Sequence, residues 1–423
     1  MKDIFYNIDG EFQLDKAKWT KVKFGTVAIQ QKKSVDREKT DLTFYVKGEH
    51  MGSQDLHLRE WGELKDEYLG PAFIRYFEKD DILYGSRRTY LRKVVIAPFE
   101  GITSNTTLVI KANEKIIDKL FLPFVMMSEG FTDHSIKNSK GSVNPYINWK
   151  DLANYEFLLP PKEEQRRLAE LLWTLDEVIE KEKFLKRQAN MQYEVAKSRL
   201  VLEGFKNETT FNNLIKREVA NGWKVTTVGK LLSEKYIMKI QDGNHGELHP
   251  KSSDYVPIGI PFIMANTLVD GIIDLEKSMR LPEDITNKLR IGFSYSGDVL
   301  LSHKGTVGQV AMIPDKIEYP YLMLTPQVTF YRTNPEKLLN KFLYYVFNAK
   351  YFQNQITRLS SQSTRAYVGI TSQRDFKLAI PNSIDEQIEI VNILSLIENN
   401  RKDIDQKIFT SQSLQKSLIN QIF

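Results

Sequence analysis

Residues 158–165 of the chain read LLPPKEEQ, and residues 378–387 read LAIPNSIDEQ. In both stretches an apolar, strand-like run stops at a proline, and an acidic-Glu-Gln step then opens a long segment of mixed polar and apolar residues. Proline near the start and acidic residues in the first turn are signals of a helix N-terminus. The two stretches therefore predict that a globular module ends and a long helix begins at two places in the chain.

The same repetition extends back through each half of the chain. The offset between the halves grows from 204 to about 221 residues, so the second half carries extra loop residues. Matches that keep one order along the chain indicate an internal duplication. The matched segments are Trp19 and Gly25 with Trp223 and Gly229, residues 81–83 with 298–300, residues 115–121 with 337–343, Tyr146 with Tyr367, and residues 155–157 with 376–378.

The duplication predicts an α+β fold in which two sheet-rich modules alternate with two long helices. Residues 1–160 form the first module and 161–217 the first long helix with a linker; residues 218–383 form the second module and 384–423 the second long helix. Apolar alternation predicts strands at 93–97, 107–110, 298–301 and 327–331. The stretch from Leu338 to Ile356 reads as one amphipathic helix with Phe342, Tyr345 and Val346 facing inward.

Both long helices carry apolar residues at alternating steps of three and four, which is the pattern of a coiled coil. The expected spacer and partner positions are Leu171, Leu175, Val178, Leu185, Ile393, Ile397, Ile404 and Ile408. We expect the two helices to pair antiparallel, with the modules at opposite ends. Forty helical residues span about 60 Å, which exceeds one DNA turn of about 34 Å. A plain dimerisation coiled coil is the alternative interpretation of the helices alone.

Composition excludes several classes of protein. The 423 residues are enough for two or three domains. Cysteine is absent, which excludes a disulfide framework, a thiolate zinc site and a cysteine nucleophile. The first residues do not resemble a signal peptide, and no apolar run approaches the roughly 20 residues of a membrane span. We therefore expect a cytoplasmic protein without a membrane partner. The net charge of +5 is mild for this size.

Four segments of the second module carry a resemblance to a known family. Residues 241–247 read QDGNHGE, 259–266 read GIPFIMAN, 270–274 read DGIID and 301–308 read LSHKGTVG. With the helix openings, this set resembles the target-recognition domains of type I restriction-modification specificity subunits, and the resemblance covers almost the whole chain. The first module lacks the DG-x-H loop and the GIPFI strand, so the two modules should read different DNA sequences.

The resemblance implies a subunit without catalysis of its own. Each module would bind one half of a split, asymmetric site on double-stranded DNA, and the helices would act as a spacer. The helices would also dock two methyltransferase subunits, which modify adenine at N6, and restriction-translocase subunits would join for cleavage. S-adenosylmethionine, ATP and magnesium are expected on those partners, and this chain is expected to bind no cofactor.

Polar and basic loop residues are the candidate DNA contacts, and a solvated surface or a structural turn is the alternative for each. Arginine can grip guanine O6 and N7 together, and at most one of two adjacent arginines should reach a base edge. The loop around His245 and His249 lacks the helical H-E-x-x-H spacing, so no metal site is expected. The candidates are Arg87, Arg88, Lys140, Ser142, Asn244, His245, Ser302, Lys304, Gln362, Ser363 and Arg365.

Two other classes of function compete with DNA recognition. A DNA-modifying enzyme should show turnover by the chain alone, but an adenine-methyltransferase N-P-P-[YF] motif is missing because residues 144–146 read NPY. A protein-protein scaffold should bind DNA only weakly and without sequence preference. A DNA-binding subunit should bind in a salt-sensitive manner, because bound phosphates release counterions.

Overall fold

The computed structural model describes residues 14–36, 39–205, 208–246, 249–361 and 366–423. The chain divides into unit 1, residues 1–184 with 405–423, and unit 2, residues 185–404. Each unit contains one sheet-rich module and half of each long helix. The predicted α+β class and the duplicated modules are confirmed.

Unit 1 begins with short strands and ends in the first long helix. Its strands are β1 Thr20–Lys23, β2 Ala28–Gln31, β3 Phe44–Val46, β4 Gly62–Glu63, β5 Phe73–Phe77, β6 Ile82–Gly85, β7 Val94–Ile96, β8 Gly101–Ser104, β9 Thr107–Ala112 and β10 Glu156–Leu159. Its helices are α1 Phe24–Val27, α2 Leu122–Met127, α3 Glu129–Lys137, α4 Trp149–Leu152 and the first part of α5 Lys162–Glu203.

Unit 2 repeats this order of elements. Its strands are β11 Thr209–Asn212, β12 Arg217–Ala220, β13 Lys224–Thr227, β14 Ile237–Gln241, β15 Ile260–Ile263, β16 Leu268–Val269, β17 Ile272–Ile273, β18 Met279–Leu281, β19 Phe293–Ser294, β20 Val299–Ser302, β21 Val310–Met312, β22 Leu322–Leu324, β23 Val328–Thr333 and β24 Lys377–Ile380. Its helices are α6 Val228–Ser233, α7 Glu283–Thr286, α8 Asn340–Phe347, α9 Lys350–Ser360, α10 Ile370–Gln373 and the first part of α11 Ile384–Ile422.

The sheets of the two units correspond strand for strand. Unit 1 has sheets ordered β2-β9-β6-β7, β4-β3-β8-β5 and β1-β10, and unit 2 has β14-β23-β20-β21, β18-β15-β22-β19 and β13-β24. Even the parallel pairs agree, since β3 pairs parallel with β8 and β15 pairs parallel with β22. The short hairpins β11-β12 and β16-β17 are further two-stranded sheets of unit 2.

The Glu-Gln step that opens each long helix has the same contacts in both units. Gln165 is buried, accepts a hydrogen bond from the Asp118 N–H at 2.7 Å and donates to the Pro160 carbonyl at 2.8 Å. Gln387 accepts from the Leu339 N–H at 2.9 Å and donates to the Lys337 carbonyl at 3.1 Å. A buried side-chain amide that satisfies backbone groups fixes where the helix leaves the module.

The repeated tryptophans and glycines have local structural reasons. Trp19 donates its indole N–H to Glu164 at 3.1 Å, and Trp223 donates to Glu386 at the same distance. The backbone N–H of Gly25 donates to the Ala153 carbonyl at 2.9 Å, and a Cβ at this glycine would lie 2.8 Å from the Ala153 side chain. The close approach of the two backbones therefore requires glycine there.

The stretch predicted as one helix from Leu338 to Ile356 is two helices, so that prediction was wrong. α8 ends at Phe347, and Ala349 has extended backbone angles (φ −77°, ψ 143°) before α9 starts. The side chain of Gln353 donates to the Phe347 carbonyl at 2.6 Å, which satisfies a backbone group at the break. Phe342, Tyr345 and Val346 are buried, as predicted.

The long helices pack against each other within each unit. In unit 1, Leu168 and Leu172 of α5 share a core with Leu418 and Ile422 of α11. In unit 2, Arg401 donates to Asn190 at 2.7 Å and lies over the ring of Tyr193.

The direction of the pairing follows from two positions in unit 2. Residue 190 lies beside residue 401, whereas a Cβ at Gly204 would lie 2.9 Å from Glu386. Higher numbers on α5 thus meet lower numbers on α11. The paired segments run antiparallel, as predicted.

The buried face of α5 differs by one residue from the predicted seam. Leu172 and Ile179 are buried, whereas Val178 and Leu185 are 39% and 54% exposed. Leu171 and Leu175 are half-buried at the edge of the unit 1 core. On α11, Ile397, Ile404 and Ile408 are half-buried and Ile393 is 39% exposed, while Ile390 and Leu394 fill the core. Apolar residues cover two neighbouring faces, so spacing alone does not select one.

Candidate nucleic-acid interface

The loop after β6 in unit 1 presents an unengaged arginine beside an exposed tyrosine. The backbone of Arg87 pairs with that of Tyr146, and the Ile147 N–H donates to the Ser86 carbonyl at 2.9 Å. Arg87 is exposed, and its guanidinium has no hydrogen-bond or ion-pair partner within the described ranges. The ring of Tyr146 is 42% exposed. These residues line one side of an open cleft.

This unit 1 cleft has a volume of about 540 Å³ and a basic lining. Lys32, Arg87 and Lys150 line it together with amides and hydroxyls, and no carboxylate lies among its lining residues in the described part of the chain. Cationic and amide groups are the ones that contact phosphates and base edges. The lining therefore suits a polyanion.

The adjacent arginine has a different role. Arg88 has left-handed backbone angles (φ 51°), and its guanidinium donates twice to the side-chain oxygen of Asn144, at 2.9 and 2.7 Å. Lys140 forms an ion pair with Asp151 at 2.9 Å, which raises the pKa of the lysine. Arg88 and Lys140 thus brace the loop. Ser142 is exposed on it. Of the two arginines, Arg87 is the one left available.

Unit 2 builds the same arrangement with different side chains. The backbone of Lys304 pairs with that of Tyr367, and the Val368 N–H donates to the His303 carbonyl at 3.0 Å. Lys304 is exposed and Tyr367 is 44% exposed. Lys304 thus occupies the position of Arg87, and His303 that of Ser86.

The unit 2 cleft has a volume of about 300 Å³. Its polar lining includes His245, His249, Lys304 and Gln327, and carboxylates are again missing from the lining within the described ranges. His245 is exposed, and its Nε2 lies 2.8 Å from the carboxylate of the buried Asp242. The cleft therefore combines an exposed imidazole with an exposed lysine that has no side-chain partner within the described ranges.

Two further predicted DNA contacts, in unit 2, also have structural roles. Asn244 is 3% exposed; it donates to the Ile291 carbonyl at 2.6 Å and accepts from the Arg290 N–H at 3.2 Å. Ser302 is fully buried, and its hydroxyl accepts from the Gln309 N–H at 2.8 Å. Because these side chains are enclosed and engaged, their predicted contact with DNA does not fit the structure. Gln362, Ser363 and Arg365 lie outside the described residues.

Sequence reasoning overlooked the two tyrosines as surface residues. In the sequence, Tyr146 and Tyr367 served only to align the two halves of the repeat. In the structure, both are exposed beside the basic residue of a cleft. Their shared distance of fourteen residues from the following proline was the available signal. An exposed aromatic ring next to a cation is a common element of nucleic-acid surfaces.

A cluster of charged residues in unit 1 superficially resembles a metal site. Side-chain atoms of Asp55, His57 and Glu180 lie within 4.8 Å of one another. Arg59, however, contacts Glu180 and Asp55 at 2.7 Å each, and it supplies the positive charge that a metal would supply. Burial opposes ionisation of Glu180, but Arg59 and Lys183 lower its pKa to about 2. The cluster is an ion-pair network that fixes this loop to α5.

Within the described residues, no helix is long and apolar enough to cross a membrane. Two equivalent basic clefts on duplicated modules, each module followed in the chain by a long helix, are the features of a nucleic-acid recognition protein. Residues 16–190 and 235–410 each match the type I restriction modification DNA specificity domain, and the chain belongs to that family. It is a DNA-recognition subunit of the class that carries no enzymatic activity itself.

Characterised relatives and solved structures agree with this assignment. The MjaVIII specificity subunit of Methanocaldococcus jannaschii is 25% identical over 73% of this chain and 71% of its own length. The EcoDI specificity subunit of Escherichia coli is 36% identical over 25% of this chain and 24% of its own.

Two solved structures share the fold. A chain from a type I restriction-modification system solved for its complex assembly has a TM-score of 0.62 at 17% identity, covering 97% of this chain and 98% of its own. The S subunit from M. genitalium has a TM-score of 0.58 at 14% identity, with the same coverage.

Proposed function

We propose that each unit reads one half of a bipartite, asymmetric DNA site and directs partner methyltransferase and restriction subunits to it. The observation that carries this proposal is the duplicated pair of a free basic residue and an exposed tyrosine, Arg87 with Tyr146 and Lys304 with Tyr367. The two units share the backbone arrangement of their clefts but carry different side chains there. The two halves of the DNA site should therefore differ in sequence.

Arg87 and Lys304 have different tasks in this proposal. Arg87 contacts a base edge, since a guanidinium can bind guanine O6 and N7 together. Lys304 contacts a phosphate, where a flexible point charge is sufficient. Arg88 and Lys140 hold the loop of unit 1 in place through Asn144 and Asp151.

The helices supply surfaces for partner proteins. In unit 1 the side chains of Phe409 and Leu414 are 65% and 55% exposed, and in unit 2 those of Met191 and Val195 are 63% and 64% exposed. Large apolar side chains exposed on a helix are candidates for protein-protein contacts. We assign them to two methyltransferase subunits that bring S-adenosylmethionine and methylate adenine N6. Restriction subunits bring ATP and magnesium, and the whole complex works on DNA in the cytoplasm.

The test is co-expression with the methyltransferase subunit, followed by sequencing of host DNA for methylated adenines. A single split motif with a fixed gap is the expected result. Exchange of residues 1–160 for those of a relative should change one half of the motif and leave the other half intact. An assembled, S-adenosylmethionine-competent complex that leaves the DNA unmethylated would contradict the proposal.

A further inference from the structure

The loop that follows β14 holds a histidine in a defined orientation at the unit 2 cleft. The Nε2 of His245 lies 2.8 Å from Oδ2 of Asp242, while the imidazole itself is more than half exposed. Asp242 is only 6% exposed and lies beneath the loop. His245 and Lys304 line the same cleft. A buried carboxylate thus orients an exposed ring beside a residue that carries free positive charge.

A second, buried imidazole lies close to Asp242. The Tyr331 hydroxyl donates to the Gln373 oxygen at 2.5 Å, and the Gln373 amide donates to Thr329 at 3.1 Å. Thr329 therefore gives its own proton to Nδ1 of His303, 2.8 Å away. Burial lowers the pKa of His303 to about 4, so the ring is neutral and carries its proton on Nε2. His303 Nε2 lies 3.9 Å from Oδ2 of Asp242 and makes no hydrogen bond within the described residues.

The contact with Asp242 selects one tautomer of His245. A neutral imidazole carries one N–H, and the nitrogen that faces a carboxylate is the one that carries it. In the neutral ring the proton therefore lies on Nε2, and Nδ1 is left as a hydrogen-bond acceptor. Within the described residues this Nδ1 has no partner.

An acceptor in this place discriminates among the groups of DNA. Phosphate oxygens only accept hydrogen bonds, so they cannot pair with an acceptor nitrogen. The Asp242 carboxylate on the opposite side of the imidazole also repels them. The donors in the major groove are the N6 amino group of adenine and the N4 amino group of cytosine. Resting on the proposed function of unit 2, we propose that Nδ1 of His245 reads an exocyclic amino group in the half-site of this unit, with Asp242 as its positioning residue.

The first step of the test locates the base pair. The complex of the full chain with its methyltransferase subunit is expressed as wild type, His245→Ala and Arg87→Ala, and the methylated motifs are compared. His245→Ala should relax one position in one half-site, and the control Arg87→Ala should alter only the other half. A bipartite motif that His245→Ala leaves unchanged at every position would overturn the inference and leave the proposed function standing.

The second step tests the atom with wild-type protein, so it does not depend on the folding of a variant. Duplexes carry purine in place of adenine, or 2-pyrimidinone in place of cytosine, at the relaxed position; each analogue lacks the amino group. Loss of the correct amino group should weaken binding about five- to tenfold. The arm that responds tells adenine from cytosine. If neither analogue weakens binding while 7-deazapurine does, His245 does not read an amino group.

The role of Asp242 is tested by the ratio of affinities for the natural and amino-less duplexes. A merely structural role would lower both affinities and keep their ratio. Asp242→Leu should bring the ratio of the two affinities close to one, because the acceptor nitrogen is no longer held in place. His245→Ala should do the same, because the acceptor is removed. An unchanged ratio in Asp242→Leu would show that the carboxylate does not position the ring.

Discussion

Units 1 and 2 share their strand order and the attachment of their long helices, but they differ in the side chains that line their clefts. Asp81 in unit 1 accepts from the Glu78 N–H at 2.8 Å, and Asp298 in unit 2 accepts from the Tyr295 N–H at the same distance. Lys111 pairs with Asp81 where Arg332 pairs with Asp298. Each unit therefore keeps an aspartate that binds a turn N–H and pairs with a cation on the neighbouring strand.

Beneath the clefts the two units are built differently. In unit 2, Thr329 and Tyr331 of β23 belong to a buried hydrogen-bonded network that ends at His303. The register of the strands places Leu108 and Ile110 of β9 at the equivalent positions in unit 1, where the packing is apolar. The comparison teaches that strand order and helix attachment can stay constant while the chemistry at the loop ends changes.

The largest expected effect comes from the helix cores, which should be equivalent. Leu172→Ala in unit 1 and Leu394→Ala in unit 2 should each lower the free energy of unfolding by about 3 kcal/mol, because both side chains are fully buried. Val178→Ser, at the predicted but exposed seam position, should change it by less than about 0.5 kcal/mol. Urea unfolding followed by circular dichroism measures all three. A large loss in Val178→Ser would place the seam where the sequence predicted it.

The buried glutamines test whether the two helix attachments are equally strong. Gln165→Met and Gln387→Met keep the side-chain volume but leave backbone groups unpaired, at a cost of about 2 kcal/mol each. Hydrogen exchange followed by mass spectrometry should show faster exchange only in the unit that carries the substitution. Unequal losses of unfolding free energy in the two variants would show that the two helix attachments are not equivalent.

The basic residues of the two clefts, Arg87 and Lys304, should contribute to DNA binding in different ways. Arg87→Ala should weaken binding to the cognate site roughly tenfold and relax one base position, as expected for loss of a base contact. Lys304→Ala should weaken binding to all sequences alike and reduce the salt dependence by about one phosphate. Fluorescence anisotropy at several salt concentrations distinguishes the two. Identical behaviour of the variants would contradict the different tasks assigned to them.

The smallest effects concern pH, where one histidine in each unit should act with opposite sign. The hydrogen bond to Asp176 raises the pKa of His57, so its stabilisation is complete below the unfolded value of about 6.5 and is lost as pH rises through the folded pKa. Burial lowers the pKa of His303 to about 4, so unit 2 loses stability as pH falls below about 6.5.

Unfolding of wild type, His57→Gln and His303→Gln at pH 5.5 and pH 8.5 measures both effects. His57→Gln should cost more at pH 5.5 than at pH 8.5, by less than about 1 kcal/mol because the ring is partly solvent-screened. His303→Gln should remove a loss of about 1 kcal/mol at pH 5.5. Shifts of the same sign in both variants would contradict the assigned environments.

The sequence by itself determined the duplication, the α+β class and the two helix openings at Pro160 and Pro381. These features arise from signals within a few residues of each other, such as strand alternation, proline and first-turn acids. The order of the matched segments then made the family resemblance specific, although each motif alone was weak.

Only the tertiary structure decided which of several suitable residues fills the helix core and which remains available at the cleft surface. It selected Leu172 over the adjacent Leu171 as the buried position, left Arg87 rather than Arg88 available, and enclosed Asn244. It also placed the Asp242 carboxylate 2.8 Å from Nε2 of His245, a contact that spacing in a loop does not predict. The physical reason is that burial and hydrogen-bond partners depend on segments far apart in the chain, whereas periodicity reports only local preference.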